Sequence, residues 1–212
     1  MNGFITDPVQ IERESMRIIH EHLKMSWKDQ ELKIVERCIH TSGDVNLEPF
    51  IRIHPQAIEA GLKALKQGAS VITDVEMARA GIAKKQLAEL GGTAECFLGD
   101  PRIPEKAAEW GITRTMTALR LNKERLKGAI VAIGNAPTAL IEVLELAKNP
   151  ETRPALIVGI PVGFVGAKES KDLLWEEHQE IPSITILGNR GGSPLAATTV
   201  NALIYLAVKR EL

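Results

Sequence analysis

Five short, largely apolar runs constrain the fold of this chain more than any other sequence feature. Within each run the apolar residues follow one another instead of alternating with polar residues. A strand that is apolar on both faces must be covered on both faces, which is typical of a parallel sheet held between helices. The runs predict strands at residues 71–73, 94–98, 129–133, 155–160 and 183–187.

The N-terminal region has a clear helix-start signal. Asp7 is followed by Pro8, and this pair is typical of an N-cap and the first helical residue. Apolar residues then recur with helical spacing, which predicts a helix to about residue 22. Ser15 lies on the apolar stripe of this helix, where a buried hydroxyl needs a partner. The alternative is that the Ser15 hydroxyl bonds back to its own helix.

Further helices fill the spaces between the strands. We expect one at residues 28–39 with a stop at Gly43, and one at residues 113–127. Asp74 is expected to cap the helix that follows the first strand. The simplest arrangement is α/β, with one domain over residues 1–212, a mainly parallel, doubly wound sheet and an N-terminal helical extension.

Composition argues against several classes of protein. The formal net charge is −1 and aromatic residues make up 4% of the chain, which does not suit a nucleic-acid-binding protein. Cys38 and Cys96 form no disulfide framework, so a reduced, cytoplasmic protein is expected. The first residues lack the pattern of a signal peptide, and no run approaches the 18 or so apolar residues of a membrane span.

Three of the predicted strands lead into glycine-rich turns. In a parallel sheet these turns lie at the carboxyl ends of the strands, where ligands bind. Glycine lets a ligand approach the backbone, and the N–H groups at the helix starts favour anions. No turn matches a nucleotide-binding fingerprint, so an anion-binding cleft is predicted without NAD or ATP. The candidate contacts are Gly134, Asn135, Gly163, Arg190, Gly191 and Gly192.

Each of these glycines has a plainer alternative, because glycine after a strand often serves only the geometry of the turn. One such turn would be weak support for a ligand site. Three successive turns of this kind strengthen the prediction.

His40 is the histidine with the clearest chemical potential. It falls at the end of a predicted helix, where the helix dipole favours the imidazolium form, and this suits a general acid. Arg37 lies one turn earlier on about the same face and could hold a carboxylate. The alternative is that His40 only caps the helix. No set of His, Cys, Asp and Glu has metal-ligand spacing, so no metal site is predicted.

Several longer stretches are similar to a known family. Residues 37–40 read Arg-Cys-Ile-His, and residues 113–114 read Thr-Arg. Together with residues 72–77, 131–140 and 159–171, they resemble the precorrin-8X methylmutase family of cobalamin (corrin) biosynthesis. The resemblance covers nearly the whole chain, and it implies a three-layer α/β/α fold.

The resemblance also implies an activity. Family members move a methyl group from C11 to C12 of precorrin-8X or cobalt-precorrin-8, a 1,5-sigmatropic shift that gives hydrogenobyrinate or cobyrinate. His40 would be the proton donor or acceptor, and Ser15, Arg37 and Arg114 would contact the carboxylate-rich tetrapyrrole. No cofactor is implied, because any cobalt arrives inside the substrate. The family implies a homodimer with the site near the subunit interface.

Two other functions remain open at this point. One is a corrin-binding or carrier protein without chemistry, which would hold the product tightly but show no turnover. The other is a nucleotide-binding enzyme with a similar fold, against which the missing phosphate fingerprints argue.

Overall fold

The computed structural model describes residues 5–209, and this part of the chain contains one six-stranded sheet. The strands are β1 (Ile51–Ile53), β2 (Val71–Thr73), β3 (Ala94–Cys96), β4 (Ile130–Ile133), β5 (Leu156–Gly159) and β6 (Ser183–Ile186). Their order in the sheet is β1-β6-β5-β4-β2-β3. All neighbours are parallel except β1, which pairs antiparallel with β6 so that Ile51 lies opposite Ile186.

Helices cover both faces of this sheet. They are α1 (Pro8–His22), α2 (Asp29–Ser42), α3 (Ala57–Lys66), α4 (Glu76–Ala80), α5 (Lys84–Glu89), α6 (Ile103–Trp110), α7 (Arg114–Leu121), α8 (Pro137–Ala147), α9 (Ala167–Glu177) and α10 (Ser193–Ala207). Two 3₁₀ segments, Val45–Phe50 and Lys123–Leu126, complete the regular structure of the described residues.

Alternate residues of the central strands feed two separate apolar cores. Ile130 and Ala132 of β4 face the core that contains α2, α3 and α10. Val131 and Ile133 of the same strand face the core that contains α8 and residues of α7 and α9. Because both faces are buried, each residue of the strand is apolar, and this explains the uninterrupted apolar runs. The expected three-layer α/β/α fold with a mainly parallel sheet is confirmed.

The five predicted strands are confirmed, each with its ends trimmed by at most two residues. The N-terminal helix is also confirmed, and the Asp7 carboxylate accepts from the backbone N–H of Gln10 at 2.8 Å. Strand β1 was not predicted, because it has three residues and carries Arg52 at its centre. The helix predicted at residues 113–127 is shorter, since α7 ends at Leu121 and a 3₁₀ segment follows.

The predicted cap at Asp74 is wrong. Helix α4 begins at Glu76, and its N-cap residue is Val75, which offers no side-chain hydrogen bond. The Asp74 carboxylate instead binds a neighbouring turn, which belongs to the candidate site below.

A buried carboxylate fixes the connection between α1 and α2. Glu48 accepts from the backbone N–H groups of Lys24 and Met25, each at 2.9 Å, and from the indole N–H of Trp27 at 3.0 Å. Burial alone would raise the pKa of Glu48, but these three donors bring it below its ordinary value. The N-terminal helix is therefore attached to the body of the fold through an ionised carboxylate.

We predict that Glu48→Gln lowers the free energy of unfolding by about 1–3 kcal/mol, because a neutral amide replaces an ionised acceptor and turns an NH₂ group toward N–H donors. Urea unfolding followed by circular dichroism measures the change. The control is Glu89→Gln at an exposed position, for which we expect a change within about 0.5 kcal/mol. Equal unfolding midpoints for wild type and Glu48→Gln would contradict the prediction.

Candidate functional site

The candidate site is built around the C-terminal end of α2. This helix packs against α10, where the Cys38 Sγ and Thr199 Oγ1 atoms are 3.3 Å apart and the Thr41 hydroxyl donates to that of Thr198 at 3.0 Å. The helix ends at Gly43, whose φ of 64° is left-handed. His40 lies in the last turn and is exposed, so the packing of α2 on α10 presents its imidazole at the surface.

His40 and Ser15 line the same pocket. The pocket has a volume of about 250 Å³ and mostly apolar walls, formed by Ser15, Ile18, Ile19, Ile39, His40, Gly43 and Val45. We refer to it as the His40 pocket. Ser15 belongs to α1 and His40 to α2, so the structure brings together two residues for which the family resemblance implies one site. The Ser15 hydroxyl donates to the Ile11 carbonyl at 2.8 Å, as its plainer alternative predicted, and its oxygen retains lone pairs that can accept.

Arg37 joins three helices one turn before His40. Its Nη1 atom lies 3.3 Å from the Glu12 carboxylate on α1, and its guanidinium lies over the Tyr205 ring of α10 at 5.8 Å. Arg37 does not line the His40 pocket itself. The cation is therefore near the site but paired with an exposed acid side chain.

A second pocket adjoins the same helix end. Its volume is about 390 Å³, and its lining consists of Thr41, Ser42, Asp44, Leu47, Val162, Arg190, Gly191, Pro194 and Leu195. The Arg190 guanidinium lies 3.3 Å from the Asp44 carboxylate, donates to the Asn46 carbonyl at 3.1 Å and lies over the Phe50 ring at 5.1 Å. The turns after β5 and β6, two of the three turns that the sequence predicts around one cleft, thus meet the end of α2.

Gly163 and Gly192 have φ values of 143° and 123°, which favour glycine, and Gly191 is needed where the backbones of the two turns pack closely. The N–H of Gly163 donates to the Asn189 carbonyl at 3.2 Å, and that of Gly192 donates to the Ile160 carbonyl at 2.9 Å. A Cβ atom at Gly191 would lie 2.5 Å from the carbonyl oxygens of Ile160 and Pro161, which excludes any side chain there. The turn-geometry alternative therefore accounts for these glycines, whatever ligand contacts the turns also make.

Lys171 on α9 contacts the turn after β6. It is among the largest fully buried side chains, and its Nζ donates to the Arg190 carbonyl at 2.6 Å. Burial lowers the pKa of Lys171 to about 8. Sequence reasoning did not single out this residue. Its signal was periodicity, since Lys171 has the helical spacing of the buried Ala167 and Leu174 and so falls on the core face of α9.

The backbone N–H groups of the third glycine-rich turn are bound by a carboxylate of the chain itself. The Asp74 carboxylate accepts from the N–H groups of Gly134 at 3.0 Å and of Asn135 and Ala136 at 2.8 Å. An internal carboxylate takes those backbone donors in the structure, and a contact of Gly134 or Asn135 with the substrate stays a prediction. Asn135 is exposed, so its side chain stays a predicted contact.

Arg114 lies away from both pockets. It is the exposed first residue of α7, and the preceding Thr113 hydroxyl lies 3.0 Å from that of Thr138 on α8. Arg114 therefore belongs to the neighbourhood of the β4–α8 turn. Its contact with a substrate stays a prediction.

Other chemistries find little support in the described residues. Burial raises the pKa of Cys38 to about 11, which keeps its thiol protonated and unsuited to nucleophilic attack. Within residues 5–209, no three His, Cys, Asp or Glu side chains are grouped so that they could hold a metal ion. In the same range, no helix is long and apolar enough to span a bilayer.

Fold and site together define a class of protein. The chain is a three-layer α/β protein with the exposed imidazole of His40 at an apolar pocket. Arg37 and Arg190, each paired with a carboxylate, lie nearby. This arrangement suits proton transfer on an acidic molecule. A family model described as precorrin-8X methylmutase (CbiC) matches residues 10–206. The chain therefore belongs to the precorrin-8X methylmutase family.

Individual relatives agree with this assignment. The chain is 39% identical to a cobalt-precorrin-8 methylmutase of Priestia megaterium, over 94% of this chain and 88% of that relative. It is also 39% identical to a precorrin-8X methylmutase of Pseudomonas aeruginosa, over the full length of both. A crystal structure of precorrin-8x methyl mutase from Thermus thermophilus superimposes with a TM-score of 0.83 at 35% identity, covering 94% of this chain and 98% of that chain.

The resemblance found in the sequence is thereby confirmed. The chain is a methylmutase of cobalamin biosynthesis, an isomerase that moves a methyl group within one molecule. A nucleotide-dependent activity on a similar fold is not supported by these relatives.

Lys171 makes the stability of the fold depend on pH in a distinctive direction. Its pKa is about 8 in the folded protein and 10.5 in its ordinary state, so between these values the unfolded chain binds more protons. We predict that the unfolding free energy of wild type, relative to Lys171→Met, rises between pH 8 and pH 10. Urea unfolding at both pH values measures it.

The control for this prediction is Lys168→Met on the same helix. Lys168 is exposed, and its hydrogen bond with Asp172 raises its pKa. We therefore expect no rise between pH 8 and pH 10 in the unfolding free energy of wild type relative to Lys168→Met. Parallel pH profiles for wild type and Lys171→Met would show that the Lys171 ammonium is not held in an unfavourable environment.

Proposed function

We propose that the enzyme moves the methyl group from C11 to C12 of precorrin-8X or cobalt-precorrin-8, giving hydrogenobyrinate or cobyrinate. The observation that carries the proposal is the His40 pocket, a mostly apolar space that His40 of α2 and Ser15 of α1 both line. In a chain of this family, that arrangement is suited to holding a ring edge and controlling one proton on it.

The rearrangement itself requires little covalent chemistry from the protein. In a 1,5-sigmatropic shift, the bond from the methyl carbon to C11 breaks as the bond to C12 forms, and no nucleophile is consumed. His40 protonates the macrocycle or holds a proton on a ring nitrogen, which draws the rearrangement toward product. Ile18, Ile39 and Val45 provide apolar contact for the ring, and Ser15 orients a peripheral group.

The substrate must extend beyond the His40 pocket. Pockets for drug-sized ligands span about 300–1,000 Å³, and a tetrapyrrole with its acid side chains is larger than such ligands. A pocket of about 250 Å³ therefore takes only part of it. The neighbouring Arg190 pocket and the exposed apolar residues Phe164 and Val165, which are 91% and 89% exposed, provide further surface.

The two arginines beside the pockets are suited to the substrate's carboxylates. Arg37 is paired with Glu12 and Arg190 with Asp44, each at 3.3 Å and each at least partly exposed. A substrate carboxylate can replace either acid side chain and form a charge-assisted, two-pronged contact with the guanidinium. Arg114 is unburied and is the third candidate.

No cofactor takes part in this proposal. The shift is an isomerisation without net oxidation, so atoms and electrons balance within the substrate. Cobalt, where present, is carried in by the macrocycle. Relatives named for the cobalt-containing and for the cobalt-free substrate match the chain at similar identity, so both compounds are proposed as substrates.

We predict that His40→Ala and His40→Asn abolish conversion of precorrin-8X, because the proton on the macrocycle is no longer controlled. The visible absorption change of the corrinoid measures turnover, and circular dichroism checks that the fold is kept. The matched control is His22→Ala at an exposed position of α1, for which we expect wild-type turnover. An active His40→Ala enzyme would remove His40 from the mechanism.

The same assay separates the enzyme from a carrier. Wild type should convert substrate with many turnovers, using cobalt-free and cobalt-containing compounds in parallel reactions. Tight binding of the coloured product without turnover in either reaction would favour the corrin carrier instead.

We also propose a homodimer with the site near the subunit interface. The support is the apolar β5 turn, where Phe164 and Val165 are almost fully exposed, and such patches mark interaction surfaces. Light scattering should give a mass of two chains. Phe164→Glu should lower it toward one chain, whereas Met25→Glu on another surface should not; an unchanged mass for Phe164→Glu would place the interface elsewhere.

A further inference from the structure

The sheet has a crevice between β2 and β4, a position at which α/β proteins commonly bind ligands. The side chain of Asp74 lies there. From β2 the chain moves outward to β3, whereas from β4 it moves in the opposite direction to β5. Strands β2 and β4 are neighbours, so the reversal of direction lies between their carboxyl ends. Ligands of open parallel sheets bind at such a point.

The turn after β4 has the donors of an anion site. Three consecutive backbone N–H groups, of Gly134, Asn135 and Ala136, converge before α8, whose first residue is Pro137. Helix starts of this kind hold phosphates and carboxylates in many proteins. Here the anion is the carboxylate of Asp74, which follows β2 and is 2% exposed.

The position of Asp74 is fixed on both sides. Its backbone N–H donates to the Ala132 carbonyl at 3.3 Å, which extends the pairing of β2 with β4. The preceding Thr73 hydroxyl donates to the carbonyls of Val75 at 3.1 Å and Glu95 at 3.2 Å. Asp74 caps no helix of its own and lines neither of the two pockets beside His40. The Asp74 carboxylate accepts from three backbone N–H groups of the β4 turn.

The turn after β4 also packs tightly against the start of α10. A Cβ atom at Gly134 would lie 2.7 Å from the Cα of Ser193, the first residue of α10. Because α10 carries α2, the turn held by Asp74 is connected through packed backbone to the helix that presents His40. Any shift of the turn would be felt at the start of α10.

We propose that Asp74 is a built-in anion that occupies the ligand crevice of the sheet, closes it to external anions and positions the β4 turn. Asp74 is a positioning residue, since it acts through the Gly134–Asn135–Ala136 backbone. This inference does not depend on the proposed reaction.

The test removes the Asp74 carboxylate by substitution and supplies a small carboxylate in solution. Asp74→Ala leaves three N–H donors around a space suited to formate. We expect this variant to unfold at a lower temperature than wild type, and sodium formate to raise its midpoint with saturable dependence. Sodium chloride and neutral formamide at the same concentrations should not do so. In wild type the Asp74 carboxylate already binds these donors, so formate should raise the unfolding midpoint no more than sodium chloride does.

Asp74→Asn is the matched variant. Its amide fills the space, so formate should not restore stability. Its NH₂ group also opposes the backbone donors, so amide hydrogen exchange at Gly134, Asn135 and Ala136 should be at least tenfold faster than in wild type. This measurement decides the matter if Asp74→Ala does not fold.

Three outcomes would overturn the proposal. They are an Asp74→Ala protein as stable as wild type, an equal response to formate in Asp74→Ala and wild type, and unchanged hydrogen exchange in Asp74→Asn. No measurement uses a corrinoid. Failure of the methylmutase assay and failure of this inference are therefore independent.

Discussion

Burial of the central strands on both faces is the constraint from which the rest of the structure follows. Because Ile130 and Val131 face opposite cores, helices must cover both sides of the sheet. Each connection between parallel strands is then a crossover, and the turns that leave the strands gather at one edge. The candidate site lies where the end of α2 meets two of those turns. Its position is a consequence of the sheet and not of any single loop.

Much of the fold could be predicted from the sequence because its signals are local. The apolar runs gave the parallel strands, and Asp7 with Pro8 gave the first helix. His40 at a helix end was also a local signal. Local signals misplace Asp74, because its backbone partners lie 60 to 62 residues away in the sequence. The helical spacing of Lys171 indicates a buried lysine, but its carbonyl partner lies 19 residues away and leaves no local signal. The reaction came from the family resemblance, since composition and spacing indicate an anion cleft but no particular ligand.

Internal ionic contacts shape the site in two different ways. Glu12 and Asp44 pair with Arg37 and Arg190 at the surface, where a competing carboxylate can replace them at small cost. Asp74 is buried and holds three backbone donors, so replacing it would leave several groups unsatisfied. The ion pairs of Arg37 and Arg190 therefore lie at the surface near the pockets, whereas the Asp74 carboxylate holds the buried turn after β4.

The contact between the β5 and β6 turns limits how this enzyme can be re-engineered. At Gly191 the backbone of one turn touches the carbonyl groups of the other, and Gly163 and Gly192 bond across the same junction. The two turns therefore form one module. A loop transplanted from a relative into one of them would clash with, or lose its bonds to, the resident partner. Changes of substrate preference by loop exchange would require both turns to be moved together.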